Sequence, residues 1–408
     1  MRKRFICEKR RGEIWRNALF SLLLSAKRDL MSIPSLFNCS NDMALAAHVR
    51  QYVPPKRIQQ MEADLADLAR VWEGTRFAGP WGWSLATKQR YRQMGVAGEL
   101  LPSDEWLEEV RRLSSREFAC RYVKELLGEL KDERLLGEEM RWVDKQSPLW
   151  DALTTSKPTW GTSVDRRGAR RQTDVGHVDF GAVKTSRARI FKSPWSSSGR
   201  GVFVGSVDFN PNLNSNPNPN PNLNLNSNPN PNLDPNLDLN CKSSTLKRLQ
   251  GFLSSQGGFV VDRFYEDKVL DFAMEFVVHK GHTVEFLGYS VFQTGESGAY
   301  GYNYVESQEE LLRRIDVDAA LLQRLIAYHK EHLAQTAYHG PVGIDMLKTA
   351  DGSIHPCLEI NLRLNMGILA LLLHEQYGSG ATVALTPVRE HGFQALVEDG
   401  RLMILSEK

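Results

Sequence analysis

The chain has little cysteine, no strong excess of either charge and no long hydrophobic run, and each lack excludes a class of protein. Its five cysteines (Cys7, Cys39, Cys120, Cys241 and Cys357) are scattered. None forms a C-x-x-C pair, and an odd, dispersed set argues against a disulfide framework. A reducing cytosol fits best, so a cytoplasmic location is expected. Lys and Arg number 51 against 49 Asp and Glu, a net charge of +2. Neither nucleic acid nor an anionic membrane is implied as a partner. The apolar run Ala18 to Ala26 falls far short of the ~20 residues a membrane span needs. No Ser-His-Asp or Cys-His arrangement stands out, which leaves a hydrolase reading little support.

What is present is uneven along the chain. Residues 1–31 read as an extension: basic residues, a short apolar run, then Lys27 and Arg28. That outline is either a weak signal-like segment or an amphipathic or disordered stretch upstream of a start at Met31. Residues 32–180 read as an N-terminal α/β and helical region ending in a linker, from about 145. Ile33 to Phe37 suggests a short strand. Asn38-Cys-Ser-Asn-Asp42 has turn and N-cap chemistry before a helix start at Met43. A helix N-terminus after a strand can receive an anion, so Asn38, Asn41 and Asp42 are candidate site residues, with capping alone as the alternative. Apolar spacing predicts helices over 56–72 and 103–127. Between them, Gly79-Pro-Trp-Gly-Trp83 reads as an aromatic packing turn.

Residues 209–240 differ from the rest. Asn occupies every second position from Asn210 to Asn232, alternating with Pro, Leu and Ser. Repeated Pro removes ladder donors, and there is too little apolar surface to offset chain entropy. The segment is expected to be a disordered insertion in a surface loop. After it come strand-like runs at 258–265, 271–278 and 283–292, a helical stretch from Glu309 to Tyr338, two more strands and a helix near 368–375. Residues 386–408 read as a C-terminal tail.

Two segments carry chemistry. In the first, Arg189-Ile-Phe-Lys192 is a strand that delivers a lysine into a Ser/Gly loop: Ser196, Ser197, Ser198, Gly199, Arg200 and Gly201. Glycines admit phosphate oxygens close to the backbone, and successive N–H groups can form an anion nest. The loop is not a Walker loop, because no G-K-[ST] follows and the chain returns to a strand. In the second, Asp351-Gly352 marks a hairpin turn. Folding about it brings Asp345 within about one residue of facing Glu359. Asn361, two residues on, shares a face with Glu359. Two carboxylates and an amide oxygen suit a hard divalent cation, Mg2+ or Mn2+, that also meets substrate phosphates. His339 and His355, close to these strands, are expected to be structural because Mg2+ prefers oxygen.

The order strand-lysine, Ser/Gly loop, acidic hinge and Asp…Glu-x-Asn resembles the ATP-grasp superfamily over about residues 185–375, apart from the insertion. The resemblance implies an α/β (α+β) fold in which antiparallel sheets sandwich the nucleotide, with the catalytic region at 181–385. It implies that the loop and Lys192 contact the triphosphate. It places the adenine near Asp262, Phe264 and Tyr265, the ribose at Asp271 or Glu275, and the metal on Asp345, Glu359 and Asn361. Arg363 completes an E-x-N-x-R ending whose arginine binds substrate or intermediate, and Asn365 to Gly367 would close the site. The pattern departs from many members in having Gly343 where they carry arginine and Asp262 where they carry glutamate. The implied reaction consumes ATP to activate a small carboxylate as an acyl phosphate for an amine or similar nucleophile. A small-molecule kinase and a non-catalytic nucleotide-binding module remain open alternatives. Tyr300 to Asn303 would either line the acceptor pocket or form a surface turn.

Overall fold

The computed structural model describes residues 33–155, 187–196, 201–207, 243–295, 300–388, 392–398 and 402–404. The 1–31 extension, loop residues 197–200, the 209–240 insertion and most of the expected linker lie outside these. The N-terminal part is mainly helical: α1 (Asn41–Ala47), α2 (Lys56–Asp64), α3 (Leu85–Gln93), α4 (Asp104–Leu113) and α5 (Arg116–Leu130). The strand expected at 33–37 is reduced to one parallel bridge between Leu36 and Pro80. Pro34 and Pro80 each lack an amide donor, so a longer ladder cannot propagate there. The helix expected over 103–127 is two helices, because Ser115 caps a new start by accepting from the Phe118 amide.

Two antiparallel sheets follow, giving the expected α+β architecture. The smaller contains β1 (Arg141–Asp144), β2 (Arg187–Lys192), β3 (Val202–Val207) and β4 (Gly258–Arg263), in the order β1-β4-β2-β3. Helix α6 (Pro148–Thr155) follows β1, and α7 (Ser243–Gln256) packs on β4. The larger sheet has β5 (Lys268–Val278), β6 (Val284–Thr294), β7 (Tyr300–Val305), β8 (Gly340–Thr349), β9 (Ile354–Asn361), β10 (Ala381–Val388), β11 (Gly392–Glu398) and β12 (Leu402–Ile404). Its order is β12-β11-β10-β7-β6-β5-β8-β9. The C-terminal segment is therefore sheet edge rather than tail. Its strands carry period-two apolar residues, and Asp399-Gly400, a hairpin signal, stands between the last two.

The large sheet separates core from site by side-chain alternation. Phe272, Met274 and Phe276 of β5, Ile344 and Met346 of β8 and Ile360 of β9 enter one core. That core also holds residues of α5, α8 (Gln308–Ile315) and α9 (Ala319–Ala334). Strand period two then sends Ala273, Asp345, Glu359 and Asn361 to the other face. Helix α10 (Met366–Tyr377) covers part of that face, packing against β6 and β7. Its residues Ile368, Leu369 and Leu373 join Phe37, Leu68, Trp72 and Trp81 in a second core. Helix α5 touches both sheets, meeting β9 on one side and β4 and β1 on the other. Its N-terminus consequently opens between them.

Candidate active site

A cavity of about 730 Å³ lies between the two sheets and the N-terminal helices. Its centre is the β8–β9 hairpin. Asp345 pairs directly opposite Glu359, and Gly343 opposite Asn361. The Asn361 amide Nδ2 donates to Asp345 Oδ2 at 3.1 Å, which leaves the amide oxygen for another partner. Burial, Glu359 and Glu275 together push the Asp345 carboxyl well above the usual carboxylate range. Burial would raise Glu359 as well, but Arg116, Arg363, the contact with Asp345 and Lys192 outweigh it and hold Glu359 low. Two facing carboxylates in one recess cannot both ionise cheaply without a cation between them. The donor set, two carboxylates and an amide oxygen, fits Mg2+ or Mn2+.

Lys192 enters from β2, where it pairs with Val202 on one side and Val260 on the other. Its side chain is 8% exposed, and its Nζ lies 3.8 Å from Asp262 Oδ2. Burial lowers the ammonium pKa against the pull of Asp262. His355 Nε2 approaches the same carboxylate oxygen at 3.4 Å. Burial would raise Asp262, but His355 and Lys192 hold it low. The Asp262 side chain is fully enclosed and faces Lys192, while the residue borders the cavity. Phe264 and Tyr265, just beyond it, do line the cavity, as do Ile190, Leu347 and Leu358. His355 is structural, as expected, but one contact away from the lysine. His339 rests against the Trp106 ring, 4.8 Å between centroids.

Asp271 also lines the cavity, and accepts from Lys268 Nζ at 2.6 Å and from Thr294 Oγ1 at 2.5 Å. Glu275, the other ribose candidate, is elsewhere. It is 1% exposed and accepts from Ser290 and Asn365, each at 2.8 Å. Burial pushes its pKa up to about 7. It lies under Gly343 and Gly367, where an added Cβ would stand 2.7 and 2.0 Å from its oxygens. That contact explains why glycine, not arginine, occupies position 343.

The Ser/Gly loop is closed at its base by the Ser193 amide donating to the Gly201 carbonyl at 2.8 Å. Gly201 has φ +73°, and a Cβ there would come within 2.3 Å of Ser193 Oγ, so glycine is required on both counts. Ser196 is held by Arg116, whose Nη1 donates to its hydroxyl at 2.7 Å and to the Ser193 carbonyl at 2.8 Å. The other guanidinium nitrogen meets Glu359, while Nε is buried without a partner. Arg116 was not among the residues singled out in the sequence. A signal existed: a cation in the first turn of a helix opposes the macrodipole, and Arg116 directly follows the cap of α5.

Arg363 is fastened from the N-terminal region. Its Nε donates to both Asp42 oxygens at 2.9 and 3.2 Å, its Nη2 to Asp42 Oδ2 at 2.8 Å, and its Nη1 to the Leu364 carbonyl at 3.1 Å. Asp42 is thus part of the site through Arg363. Asn38 is not: its amide donates to the Gly82 carbonyl at 2.9 Å and to Thr87 at 3.0 Å, and its oxygen accepts from the Gly82 amide at 3.2 Å. Asn41 turns its amide to the Gly82 and Trp83 carbonyls and also borders a recess shared with Asp42, Glu359, Asn361 and Arg363. Tyr300 and Asn303 lie in β7 and line the cavity, so the surface-turn alternative is excluded.

No protein-family model matches the chain, and no curated protein matches it. Among solved structures it is similar to a Campylobacter jejuni biotin carboxylase in complex with an ATP analogue. There the identity is 10% and the TM-score 0.40, over 89% of this chain and 74% of the other. It is also similar to an ADP complex of N5-carboxyaminoimidazole ribonucleotide synthetase, at 12% identity and TM-score 0.38, over 82% and 70%. Against the biotin carboxylase domain of Hydrogenobacter thermophilus 2-oxoglutarate carboxylase, the alignment spans 46% of this chain but 35% of the other, at 10% identity and TM-score 0.29. The similarity is one of fold. What the site can do has to be read from its own side chains: two facing carboxylates and an amide, a buried lysine, and two arginines, all lining one cavity.

Proposed function

We propose that the chain is an ATP- and Mg2+-dependent ligase of the ATP-grasp type, which activates a carboxylate as an acyl phosphate for attack by an amine. The observation that carries this reading is the register of the β8–β9 hairpin, which sets Asp345 against Glu359 with Asn361 bonded beside them, in a cavity that Lys192 enters from the other sheet. Asp345, Glu359 and Asn361 would hold the metal, whose chemistry is to neutralise charge on the transferring phosphoryl group. Lys192 and Arg116 meet the phosphate chain from the small sheet and from α5. Ser196, held by Arg116, adds a hydroxyl to it. Phe264 and Tyr265 flank the base, and Asp271 accepts from the ribose.

On the acceptor side, Arg363 orients the carboxylate. A carboxylate oxygen attacks the γ-phosphorus while the bond to the β-phosphate oxygen breaks, leaving ADP. The amine nitrogen then attacks the acyl carbon, loses a proton, and inorganic phosphate departs. The test is ADP release with Mg2+, carboxylic acids and hydroxylamine present. Hydroxamate is expected, because hydroxylamine intercepts an acyl phosphate. ADP with a stable phosphate ester and no hydroxamate would make the protein a kinase. Bound nucleotide without ADP release would make it a binding module.

A further inference from the structure

The same cavity is also lined by Met43 of α1, by Arg57, Ile58 and Met61 of α2, and by Trp81 and Met366. Two contacts tie this part of the lining to Arg363 and its neighbour. Met43 follows Asp42, which holds the guanidinium, and the Trp81 carbonyl accepts from the Leu364 amide at 2.8 Å. Several polar groups of this lining are already bonded within the protein. Tyr300 donates to Asn303 Oδ1 at 2.7 Å, and Asn303 Nδ2 donates to the Val291 carbonyl at 3.4 Å. Ser290 and Asn365 both donate to buried Glu275. A polar substrate entering here would leave its own donors and acceptors unmatched, whereas an apolar body loses only its water. Thioether side chains on two walls adapt to apolar groups of varied shape.

From this we infer the class of carboxylate the enzyme takes: a monocarboxylic acid with an apolar body. Its carboxylate lies toward Arg363 and the Asp345, Glu359 and Asn361 recess, and its body lies against Met43, Ile58, Met61 and Trp81. The inference rests on the ligase reading for the direction in which the acid enters, and adds to it what the acid is made of. Small hydrophilic acids lack the contact surface that these apolar side chains offer.

The test is calorimetric binding of straight-chain monocarboxylates, from acetate to octanoate, to the full chain with Mg-ADP, alongside succinate and glutarate. ADP release with Mg-ATP is followed for the same acids. Affinity is expected to rise about fourfold per methylene over the first several carbons, which is about 0.8 kcal/mol for each. Succinate and glutarate should bind more weakly than acids of the same carbon number. Met43→Gln and Met61→Gln should flatten the dependence on chain length, with Mg-ADP affinity and thermal midpoint as controls for folding. A flat dependence, tightest binding by a dicarboxylate, or a slope that survives both substitutions would overturn the inference. If ADP is released but only with hydrophilic acids, the ligase reading stands and this inference fails. If neither Mg-ADP nor any acid binds, both fall together.

Discussion

The two ends of the cavity are built on opposite plans. At the nucleotide end, chemistry is placed by strands: Lys192, Asp345, Glu359 and Asn361 project from paired strands whose alternation leaves no freedom about which face they occupy. Their charges are locked in contacts across elements, Lys192 with Asp262, which also meets His355, and Glu359 with Arg116. At the other end, the proposed acceptor side, the lining comes from α1, α2 and the Trp81 turn and is mostly apolar, with Asp42 and Arg57 among it. The Asp42–Arg363 pair, joining residues 321 positions apart in sequence, and the hydrogen bond from the Leu364 amide to the Trp81 carbonyl connect the two. A site for an invariant cosubstrate can be rigid and charged, while a site that defines the variable substrate needs shape and burial more than charge. On the proposed function, the difference predicts that changes at one end leave the other's binding intact.

The sharpest way to break that comparison is Glu359→Gln. It removes one carboxylate from the cation recess and should lower ADP release by about three orders of magnitude, the scale of losing a main electrostatic group of phosphoryl transfer. Calorimetric Mg2+ affinity should fall, and the circular dichroism spectrum should be unchanged. Unaltered ADP release would remove the metal role of the hairpin. Next in size is Lys192→Met, which leaves Asp262 buried beside His355 alone. It should destabilise the fold by about 3 kcal/mol, because a buried charge loses its partner. The double variant Lys192→Met/Asp262→Leu should recover much of that stability, yet neither should bind nucleotide. Denaturant unfolding of the set gives the coupling, and additive single effects would dissolve the ion pair.

A smaller effect concerns pH. Glu275 has its pKa raised from 4.5 to about 7 in the folded chain. Below the unfolded value both states are protonated and the residue costs nothing. As pH rises from 4.5 toward about 7 the unfolded state releases its proton first, so stability falls, by about 3 kcal/mol once both states are ionised. Glu275→Gln should abolish this slope. It should be more stable than the parent at pH 8 and similar at pH 4.5, in thermal unfolding with chelator present. Equal slopes in both proteins would show that Glu275 is not the titrating group. The smallest change expected is for Asp42→Asn, which weakens the hold on Arg363. The KM for the carboxylate should rise about tenfold while the KM for ATP stays within twofold, since the substitution touches only the joint between the ends. A matching rise in both would make that joint a general structural support.

Much of the hairpin was legible in the sequence. The Asp351-Gly352 turn predicts it and brings Asp345 within about one residue of facing Glu359, and a register shift between Asp345 and Leu347 completes the pairing. The Ser/Gly loop after Lys192 could be read for the same reason: local backbone demands leave a signature in the residues themselves, as at Gly201. Contacts between distant segments left none. Asp262 has the sequence position of a hinge residue, but whether its carboxylate points at a base or at Lys192 depends on how His355, 93 residues later, packs beneath it. Arg116 and Asp42 reach Glu359 and Arg363 across 243 and 321 residues, and no periodicity encodes such pairings.

The sequence by itself determined which residues could bind a cation and phosphates, because strand alternation, turn chemistry and donor type act over a few neighbouring residues. Only the tertiary structure decided which of them are joined, which charges are spent on one another, and that the acceptor chamber is walled by methionine, isoleucine and tryptophan. Those outcomes follow from packing helices of the N-terminal region against a sheet formed hundreds of residues later, where burial and charge are set by neighbours the local sequence does not contain.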